Sequence, residues 1–276
     1  MSLDLSMRLP KNYSRRIWRA LMEFEMLEAG DRVLVGLSGG KDSALLLYAL
    51  CVLKQQSGFP FTVGAATIDA GFAEDEFREE IQKLCTVLDV PLYYERHEEL
   101  SKIVFDPESK QSPCARCAFF RRGMLNRIAK QEGYNKIALG HHLDDAVETF
   151  LMSILYSGKI QVFTPVTDQD RSELTVIRPL CLLREKEIVA ARRFFPWQVQ
   201  PSCCPQEDKT TRLLTKNLIK QLGYDSPQLF ARLVSAMRRA PEEIDLWPPQ
   251  ADSETMRKHY INMVNQLGRE GSEEEM

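Results

Sequence analysis

Apolar runs of strand length alternate with segments of helix length along the first two thirds of the chain. Such alternation predicts right-handed β–α–β crossovers and a parallel sheet covered by helices on both faces. The fold class is therefore predicted as α/β, with a doubly wound parallel sheet. The predicted strands are residues 32–37, 61–68, 91–95, 136–140 and 175–178, and the predicted helices are residues 42–56, 75–88, 116–132, 144–156 and 185–195.

The rest of the chain changes in composition, which predicts four regions. We expect a basic helical segment (1–29), the sheet domain with a CxxC insertion (30–200), a helical region with a distal cysteine pair (201–245), and a linker, helix and acidic tail (246–276). Polar residues dominate 96–112, which we expect to be an excursion or flexible loop. Further helices are predicted at 207–222, 227–239 and 254–267.

Charge, hydropathy and cysteine number limit the class of protein. The net charge of −3 argues against a protein wholly devoted to coating nucleic acid, although a local basic patch remains compatible with it. The N-terminus has no apolar core followed by a cleavage site, and the longest apolar run, 44–53, is about half a membrane span. Seven cysteines in a chain of 276 residues do not suggest a secreted disulfide framework. We expect a cytoplasmic protein without a membrane segment.

A glycine-rich turn, SGGKDS at residues 38–43, follows the first predicted strand. Its glycines allow close approach to an anion, and the helix that follows directs unpaired N–H groups toward the turn. A Walker loop has different spacing and a hydroxyl after its lysine, where this chain has Asp42. An acid beside a polyphosphate predicts an intervening Mg²⁺, and a simple helix cap is the alternative. The candidate phosphate ligands are Ser38, Gly39, Gly40, Lys41 and Ser43.

A second motif, GHHLDD at residues 140–145, repeats the pattern of strand, glycine and helix start. Asp144 and Asp145 could simply interact with the helix dipole, but two carboxylates beside His141 are more than a cap requires. Ligands of open α/β sheets bind at the carboxyl edge, where the strand order reverses. If the first and fourth strands are neighbours, both motifs face the same crevice.

Cysteines form two groups that are far apart in the sequence. Cys114 and Cys117 form a CxxC motif before a basic helix, and Cys203 and Cys204 follow much later. An iron–sulfur cluster, a zinc site and a thiol redox pair are comparable interpretations of these residues alone. The remaining cysteines lie among apolar neighbours and are expected to pack in the core: Cys51, Cys85 and Cys181.

A basic stretch precedes the sheet, and its central residues are Arg15, Arg16 and Arg19. Tyr13 and Trp18 are interleaved with them as candidate stacking groups. Such a basic stretch usually forms a solvent-exposed helix face. The more specific hypothesis is a surface that contacts nucleic-acid phosphates.

Together these motifs resemble a known family. SGGKDS resembles the PP-loop of the N-type ATP pyrophosphatase superfamily, and GHHLDD is similar to the second signature of its tRNA-modifying branch. The cysteines extend the resemblance to the tRNA 2-thiocytidine synthetase (TtcA) family, through CAFFRRGML, YSGK, VIRPLCLLREKEI and CPQEDKTTR. The similarity covers about residues 8–242. The adjacent cysteines 203–204 and the stretch TIDAGFAED depart from the family pattern.

The resemblance implies an adenine nucleotide α-hydrolase-like PP-loop fold and an ATP-dependent tRNA thiolase that forms 2-thiocytidine, at position 32. The implied cofactors are ATP, Mg²⁺ and a [4Fe–4S] cluster held by Cys114, Cys117 and Cys204. Cys204 is favoured over Cys203 because it keeps the family's interval to the arginine that corresponds to Arg212. The implied partners are tRNA and a cysteine desulfurase as sulfur donor, and a homodimer is compatible with the family.

The resemblance also implies roles for individual residues. Asp42 would organise Mg²⁺, with Asp145 and Arg121 as further catalytic groups. Arg15, Arg16 and Arg19 would contact tRNA. Besides the SGGKDS turn, the residues expected to bind ATP are Asp69, Gly140, His141 and Asp144.

Two alternatives remain at this point. A lysidine synthetase-like ligase shares both ATP signatures and joins lysine to cytidine, but it has no use for the CxxC motif. A nucleotide-regulated redox protein with an iron–sulfur or zinc site would keep the nucleotide only for regulation. Pyrophosphate release that requires both tRNA and sulfide would discriminate against both.

Overall fold

The computed structural model describes residues 8–169, 173–195, 197, 211–238 and 254. The chain divides into two units, Met1–Met237 and Arg238–Met276. Of the second unit the description covers Arg238, which lies in a turn, and Glu254, which is helical.

A six-stranded sheet forms the centre of the described part of the first unit, in the order β3-β2-β1-β4-β6-β5. Adjacent strands in the order from β3 to β6 are parallel, and the edge strand β5 pairs antiparallel with β6. The strand order reverses at β1, which lies between β2 and β4, so the predicted neighbourhood of the first and fourth strands is confirmed. The strands are β1 Arg32–Gly36, β2 Thr62–Asp69, β3 Leu92–Arg96, β4 Lys136–Ala138, β5 Val166–Gln169 and β6 Leu174–Ile177.

Helices connect the strands and continue after the sheet. The crossovers place helices on both faces, which confirms the doubly wound α/β prediction. None of the described helices is long and apolar enough to cross a membrane. The helices are α1 Lys11–Glu23, α2 Lys41–Gln56, α3 Asp75–Val87, α4 Glu99–Val104, α5 Pro113–Gln131, α6 Leu143–Ser157, α7 Glu185–Ala190, α8 Thr211–Asp225 and α9 Leu229–Met237, and a short 3₁₀ helix, Ala191–Arg193, follows α7.

Two elements differ from the sequence prediction. The polar stretch 96–112 is not simply a loop, because it contains α4, whose Leu100 and Val104 are buried against Ala70. Helix α4 has three apolar residues, Leu100, Ile103 and Val104, but it spans less than two turns, which is too short for periodicity to identify a helix. The edge strand β5 was not predicted either, because only its pairing with β6 identifies the polar sequence VTDQ as a strand.

The ends of several helices also differ from the prediction or lie outside the described residues. The predicted helix 185–195 ends earlier, as α7 and the 3₁₀ turn. Helices predicted at 207–222 and 227–239 correspond to α8 and α9 in their described parts. Of the helix predicted at 254–267, all but Glu254 lies outside the described residues.

Two apolar layers cover the sheet. The alternation in β1 directs Val33 and Val35 into one layer and Leu34 into the other. Helix α2 belongs to the first layer and is buried from Ser43 to Leu53, which explains its continuous apolar run. Cys51, Cys85 and Cys181 pack in this layer, as predicted. Burial raises the pKa of Cys51 and of Cys85 to about 12, so both thiols stay protonated near neutral pH.

Candidate active site

The SGGKDS turn joins β1 to α2 at the carboxyl edge of the sheet. Gly39 has φ +79°, and a Cβ there would lie 2.5 Å from the Phe77 ring, so both conformation and space require glycine. Ser43 Oγ accepts from the backbone N–H of Ser38 at 3.1 Å and donates to the carbonyl of Gly40 at 3.1 Å. Gly40 is the N-cap of α2, and no side chain caps it. The first N–H groups of α2 are therefore left for an anion in the turn.

Asp42 lies inside the first turn of α2 and does not cap it, so the cap interpretation fails. Its Oδ2 accepts a hydrogen bond from Lys41 Nζ at 3.1 Å. Its Oδ1 is buried without a hydrogen-bond partner among the described residues, and His142 Nε2 is 3.8 Å away. A buried carboxylate oxygen without a donor fits a cation ligand. The described residues contain no group of three or more metal-ligating side chains, but Mg²⁺ in nucleotide sites usually takes one or two carboxylates plus phosphate oxygens.

The second motif touches the first through backbone. A Cβ on Gly140 would lie 3.0 Å from the carbonyl carbon of Asp42 and 3.0 Å from the backbone nitrogen of Ser43. The residues after β4 therefore pack directly on the start of α2, at the point where the strand order reverses. Both motifs face the same crevice, where ligands of open α/β sheets bind.

The acids of the second motif hold helix ends together. His142 is the N-cap of α6, where its Nδ1 accepts from the Asp145 N–H at 3.2 Å and its own N–H donates to Asp145 Oδ2 at 2.9 Å. Asp144 accepts from Arg184 Nε at 3.1 Å and from the Glu185 N–H at 2.8 Å, which fixes the start of α7. These carboxylates thus have structural partners, whereas Asp42 Oδ1 has no hydrogen-bond partner among the described residues.

His142, Glu185 and Lys216 are site residues that the sequence analysis missed. His142 could have been found from its position three residues before Asp145, which is the spacing of a capping box. Glu185 Oε1 lies 3.4 Å from Lys41 Nζ, and Lys216 Nζ lies 2.6 Å from Glu185 Oε2. No local pattern reveals the latter two, because they come from α7 and α8, far from the turn in sequence.

His141 points toward a different group of residues from His142. Its imidazole is tilted against the Phe163 ring with centroids 5.1 Å apart, and the Arg178 guanidinium lies 5.0 Å from the same ring. Desolvation lowers the pKa of His141 to about 4, so the ring is neutral near pH 7. Its buried Nδ1 has no hydrogen-bond partner among the described residues.

Asp69 ends β2 and shapes the loop that follows. Its Oδ1 accepts from the backbone N–H groups of Gly71, Phe72 and Ala73 at 2.8, 3.2 and 3.3 Å. Its Oδ2 accepts from the Tyr94 hydroxyl at 3.0 Å. Asp69 thus organises this loop at the carboxyl edge, and its contact with ATP stays a prediction.

The CxxC motif begins helix α5. Ser112 is the N-cap and accepts from the Ala115 N–H at 3.3 Å, which places Cys114 and Cys117 one turn apart on one face. Cys114 is exposed, while Cys117 packs against the cluster of Ala70, Leu100 and Val104. Crossover helices begin at the carboxyl edge of a parallel sheet, so this motif shares an edge with the SGGKDS turn.

Arg121, Cys203 and Cys204 complete the predicted residues of this region. Arg121 lies one turn after Cys117 and forms no hydrogen bond or ion pair with any described residue. Cys203 and Cys204 lie outside the described residues. The ligand set of the cysteines therefore stays a prediction.

The basic helix α1 has a buried and an exposed face. Tyr13 is buried and packs on Phe194 with centroids 4.9 Å apart, so it is not available for stacking on bases, which corrects the interpretation of this ring. Trp18 is partly buried and contacts Phe59, and its role in stacking stays a prediction. Arg16 pairs with Glu187 and Arg19 with Glu23, while Arg15 is exposed and has no partner among the described residues.

Comparison with known proteins agrees with this architecture. Residues 11–219 match the PP-loop domain family. The tRNA-cytidine(32) 2-sulfurtransferase of Legionella pneumophila (strain Philadelphia 1) is 35% identical over 228 residues, which cover 80% of this chain and 78% of the relative. The enzyme of the same name from Bordetella petrii is 35% identical over 237 residues, covering 84% of this chain and 72% of the relative.

Among solved structures, the U34-tRNA thiolase NcsA from Methanococcus maripaludis, determined with its [4Fe–4S] cluster, superposes with a TM-score of 0.71. That superposition covers 89% of this chain and 84% of the thiolase at 21% identity, so it supports the fold. The chain therefore belongs to the PP-loop family and, within it, to the tRNA-cytidine(32) 2-sulfurtransferase family.

Proposed function

We propose that this protein uses ATP to thiolate a cytidine in tRNA, forming 2-thiocytidine at position 32. The observation that carries the proposal is the contact between the two ATP motifs, where Gly140 packs on the backbone of Asp42 and Ser43. The CxxC motif on the same sheet edge and the relatives named tRNA-cytidine(32) 2-sulfurtransferase support the same assignment.

The residues of the SGGKDS turn have different roles in binding ATP and Mg²⁺. Ser38, Lys41 and Ser43 bind phosphate oxygens together with the N–H groups at the start of α2. Asp42 Oδ1, which is buried and has no donor within the described part of the chain, is the protein ligand for Mg²⁺. Asp145 assists from the second motif by holding His142 beside Asp42. The neutral His141 and the loop shaped by Asp69 are proposed to border the nucleotide.

The chemistry proceeds in two displacements. Cytosine O2 attacks the α-phosphorus of ATP, and the bond to the β-phosphate oxygen breaks to release pyrophosphate. This step converts a poor leaving oxygen into AMP. A sulfur nucleophile then bonds to C2 and AMP departs with the original oxygen. Arg121, which has no partner among the described residues, is proposed to neutralise charge on the nucleotide or phosphate during these steps.

Cys114, Cys117 and Cys204 are the proposed ligands of a [4Fe–4S] cluster. The two described thiols fit such a group, since they lie one turn apart at the start of α5 and Cys114 is exposed. Arg116 stabilises this helix start by donating to the carbonyls of Ile103 and Asp106 at 2.8 and 2.9 Å. When bound, the cluster would supply an iron with an open position for hydrosulfide.

The partners follow from this chemistry. The substrate is tRNA, and the exposed basic face of α1, with Arg15, Arg16 and Arg19, is proposed to contact its phosphates. A cysteine desulfurase is the proposed sulfur donor, and the site of action is the cytoplasm. We also propose that the protein forms a homodimer. The proposed domain organisation has four regions: 1–29, 30–200, 201–245 and 246–276.

The test is an anaerobic reaction with the full chain, ATP, Mg²⁺, sulfide and a tRNA transcript that carries cytidine 32. We expect pyrophosphate release that needs both tRNA and sulfide, and 2-thiocytidine in the digested tRNA by mass spectrometry. A transcript with uridine at position 32 is the matched control. Lysine incorporated into the tRNA when lysine is added in place of sulfide, or pyrophosphate release without tRNA, would reject the proposal.

A further inference from the structure

Three charged side chains connect helix α8 to the start of α2. Lys41 Nζ lies 3.1 Å from Asp42 Oδ2 and 3.4 Å from Glu185 Oε1. On the other side of Glu185, Lys216 Nζ lies 2.6 Å from Oε2. Each oxygen of the Glu185 carboxylate therefore faces one ammonium group, and Lys41 lies between two carboxylates.

The backbone of Glu185 is fixed independently of both lysines. Its N–H donates to Asp144 Oδ2 at 2.8 Å, and the preceding Arg184 pairs with the same carboxylate. The long lysine side chains are consequently the parts that can move when a new anion enters.

The pKa values show how strongly Glu185 and Lys216 depend on each other. Burial would raise the pKa of Glu185, but the hydrogen bond and charge of Lys216, together with Lys41, hold this pKa below its ordinary value. Burial would lower the pKa of Lys216, but Glu185 outweighs it and the pKa is raised. Both side chains are therefore charged near neutral pH.

We propose that Lys216 is a positioning residue that acts through Glu185 on Lys41, an inference that rests on the proposed ATP site. To bind a triphosphate, Lys41 must leave Glu185. With Lys216 in place, Glu185 keeps a counter-ion when Lys41 turns to the phosphates. Without Lys216, Glu185 either retains Lys41 or remains as an uncompensated, three-quarters-buried anion beside a polyphosphate. Both alternatives weaken ATP binding.

The experiment measures binding of a non-hydrolysable ATP analogue with Mg²⁺ to the full chain, without tRNA. We expect Lys216→Met to raise Kd about five-fold, the scale of one partly exposed ion pair. Lys216→Arg should bind within about two-fold of the unmodified protein, because it keeps the charge. Adding Glu185→Gln to Lys216→Met should restore binding to the same range, because the uncompensated carboxylate is gone. In pyrophosphate release, Lys216→Met should raise KM for ATP and leave kcat nearly unchanged.

Lys220→Ala is the matched control, since Lys220 is exposed on the same helix and has no partner among the described residues. Its Kd should not change. Unchanged binding by Lys216→Met would overturn the inference and leave the proposed function standing. If the double variant binds as weakly as Lys216→Met, Lys216 attracts the nucleotide directly and the relay through Glu185 is wrong. Absence of ATP binding by the unmodified chain would reject the proposed function together with this inference.

Discussion

Gly140 and Asp42 are in backbone contact, although they are about one hundred residues apart: a Cβ on Gly140 would lie 3.0 Å from the carbonyl carbon of Asp42. This contact exists because β1 and β4 are neighbours, and each strand leads into one motif. The glycine of the second motif thus serves close packing of two turns. Its φ is not in the left-handed region, so space alone requires it.

The first prediction concerns this contact. Gly140→Ala should separate the second motif from the start of α2, because backbone cannot move as easily as a side chain. We expect a loss of about 1–3 kcal/mol in unfolding free energy and at least a comparable loss in ATP affinity. Gly123→Ala is the control, since a Cβ at Gly123 meets nothing within 4 Å. Unfolding curves and ATP titrations check both, and unaltered ATP binding by Gly140→Ala would contradict the prediction.

The second prediction separates chemistry from folding at Asp42. Asp42→Ala should keep the fold, because the carboxylate caps no helix and its buried Oδ1 bonds to nothing described. Mg²⁺-dependent pyrophosphate release should be lost. The measurement is turnover against Mg²⁺ concentration, alongside the unfolding midpoint. Turnover with an unchanged Mg²⁺ dependence would remove Asp42 from the metal site.

The third prediction identifies the third cluster ligand. Cys204→Ala should lose iron and thiolation together, as should Cys114→Ala and Cys117→Ala. Cys203→Ala is the adjacent control and should keep most of both, because Cys204 keeps the family's interval to the arginine that corresponds to Arg212. Iron content and thiocytidine are measured on anaerobic preparations. If only Cys203→Ala loses iron and thiolation, the third ligand is Cys203 instead of Cys204. If Cys203→Ala and Cys204→Ala both keep a full cluster, ligation by three cysteines is rejected.

The fourth prediction concerns tRNA affinity and helix α1. Replacing Arg15, Arg16 and Arg19 together with alanine should weaken binding and reduce the salt slope by up to about three counterions. Arg15→Ala alone should have the largest single effect, because Arg16 and Arg19 are already paired with acids. Filter binding over a range of salt concentrations measures the slope. If the salt slope of the triple variant does not change, the basic face of α1 is exposed to solvent and does not contact tRNA.

The fifth prediction concerns pH and Glu148, which is buried in α6. Burial raises its pKa to about 7, with a further contribution from Asp145, while Arg212 and Lys216 on α8 and Glu185 on α7 also face it. A raised carboxyl pKa means that the folded state favours the neutral acid. This stabilisation is complete below the ordinary pKa of 4.5 and is lost as the pH rises through about 7. Glu148→Gln should therefore flatten stability between these values in urea titrations, and an unaltered profile would contradict the assignment.

Local patterns were sufficient for most of the fold. Strands β1 to β4 and β6 were predictable because each is a short apolar run between helical segments, and α2 because its apolar run is long enough to be a buried helix. Helix α4 was not predictable because it is short and is recognised only by the packing of its apolar residues on Ala70. Strand β5 was not predictable because its sequence is polar and only its pairing with β6 identifies it. The same limit applies to Tyr13, whose burial depends on the distant ring of Phe194.

For the site, the sequence alone identified the candidate residues for phosphate and metal chemistry, because SGGKDS and GHHLDD are contiguous motifs whose composition suggests that chemistry. Only the tertiary structure decided how the acids are used. Asp144 and Asp145 bind arginines and helix ends, whereas Asp42 keeps a buried oxygen to which no described residue donates. Glu185 reaches Lys41 from α7 across more than 140 residues of chain, and Lys216 on α8 pairs with Glu185 in turn. Such partners cannot be read from spacing, because an ion pair depends on distance in space, which the packing of α6, α7 and α8 on the sheet sets.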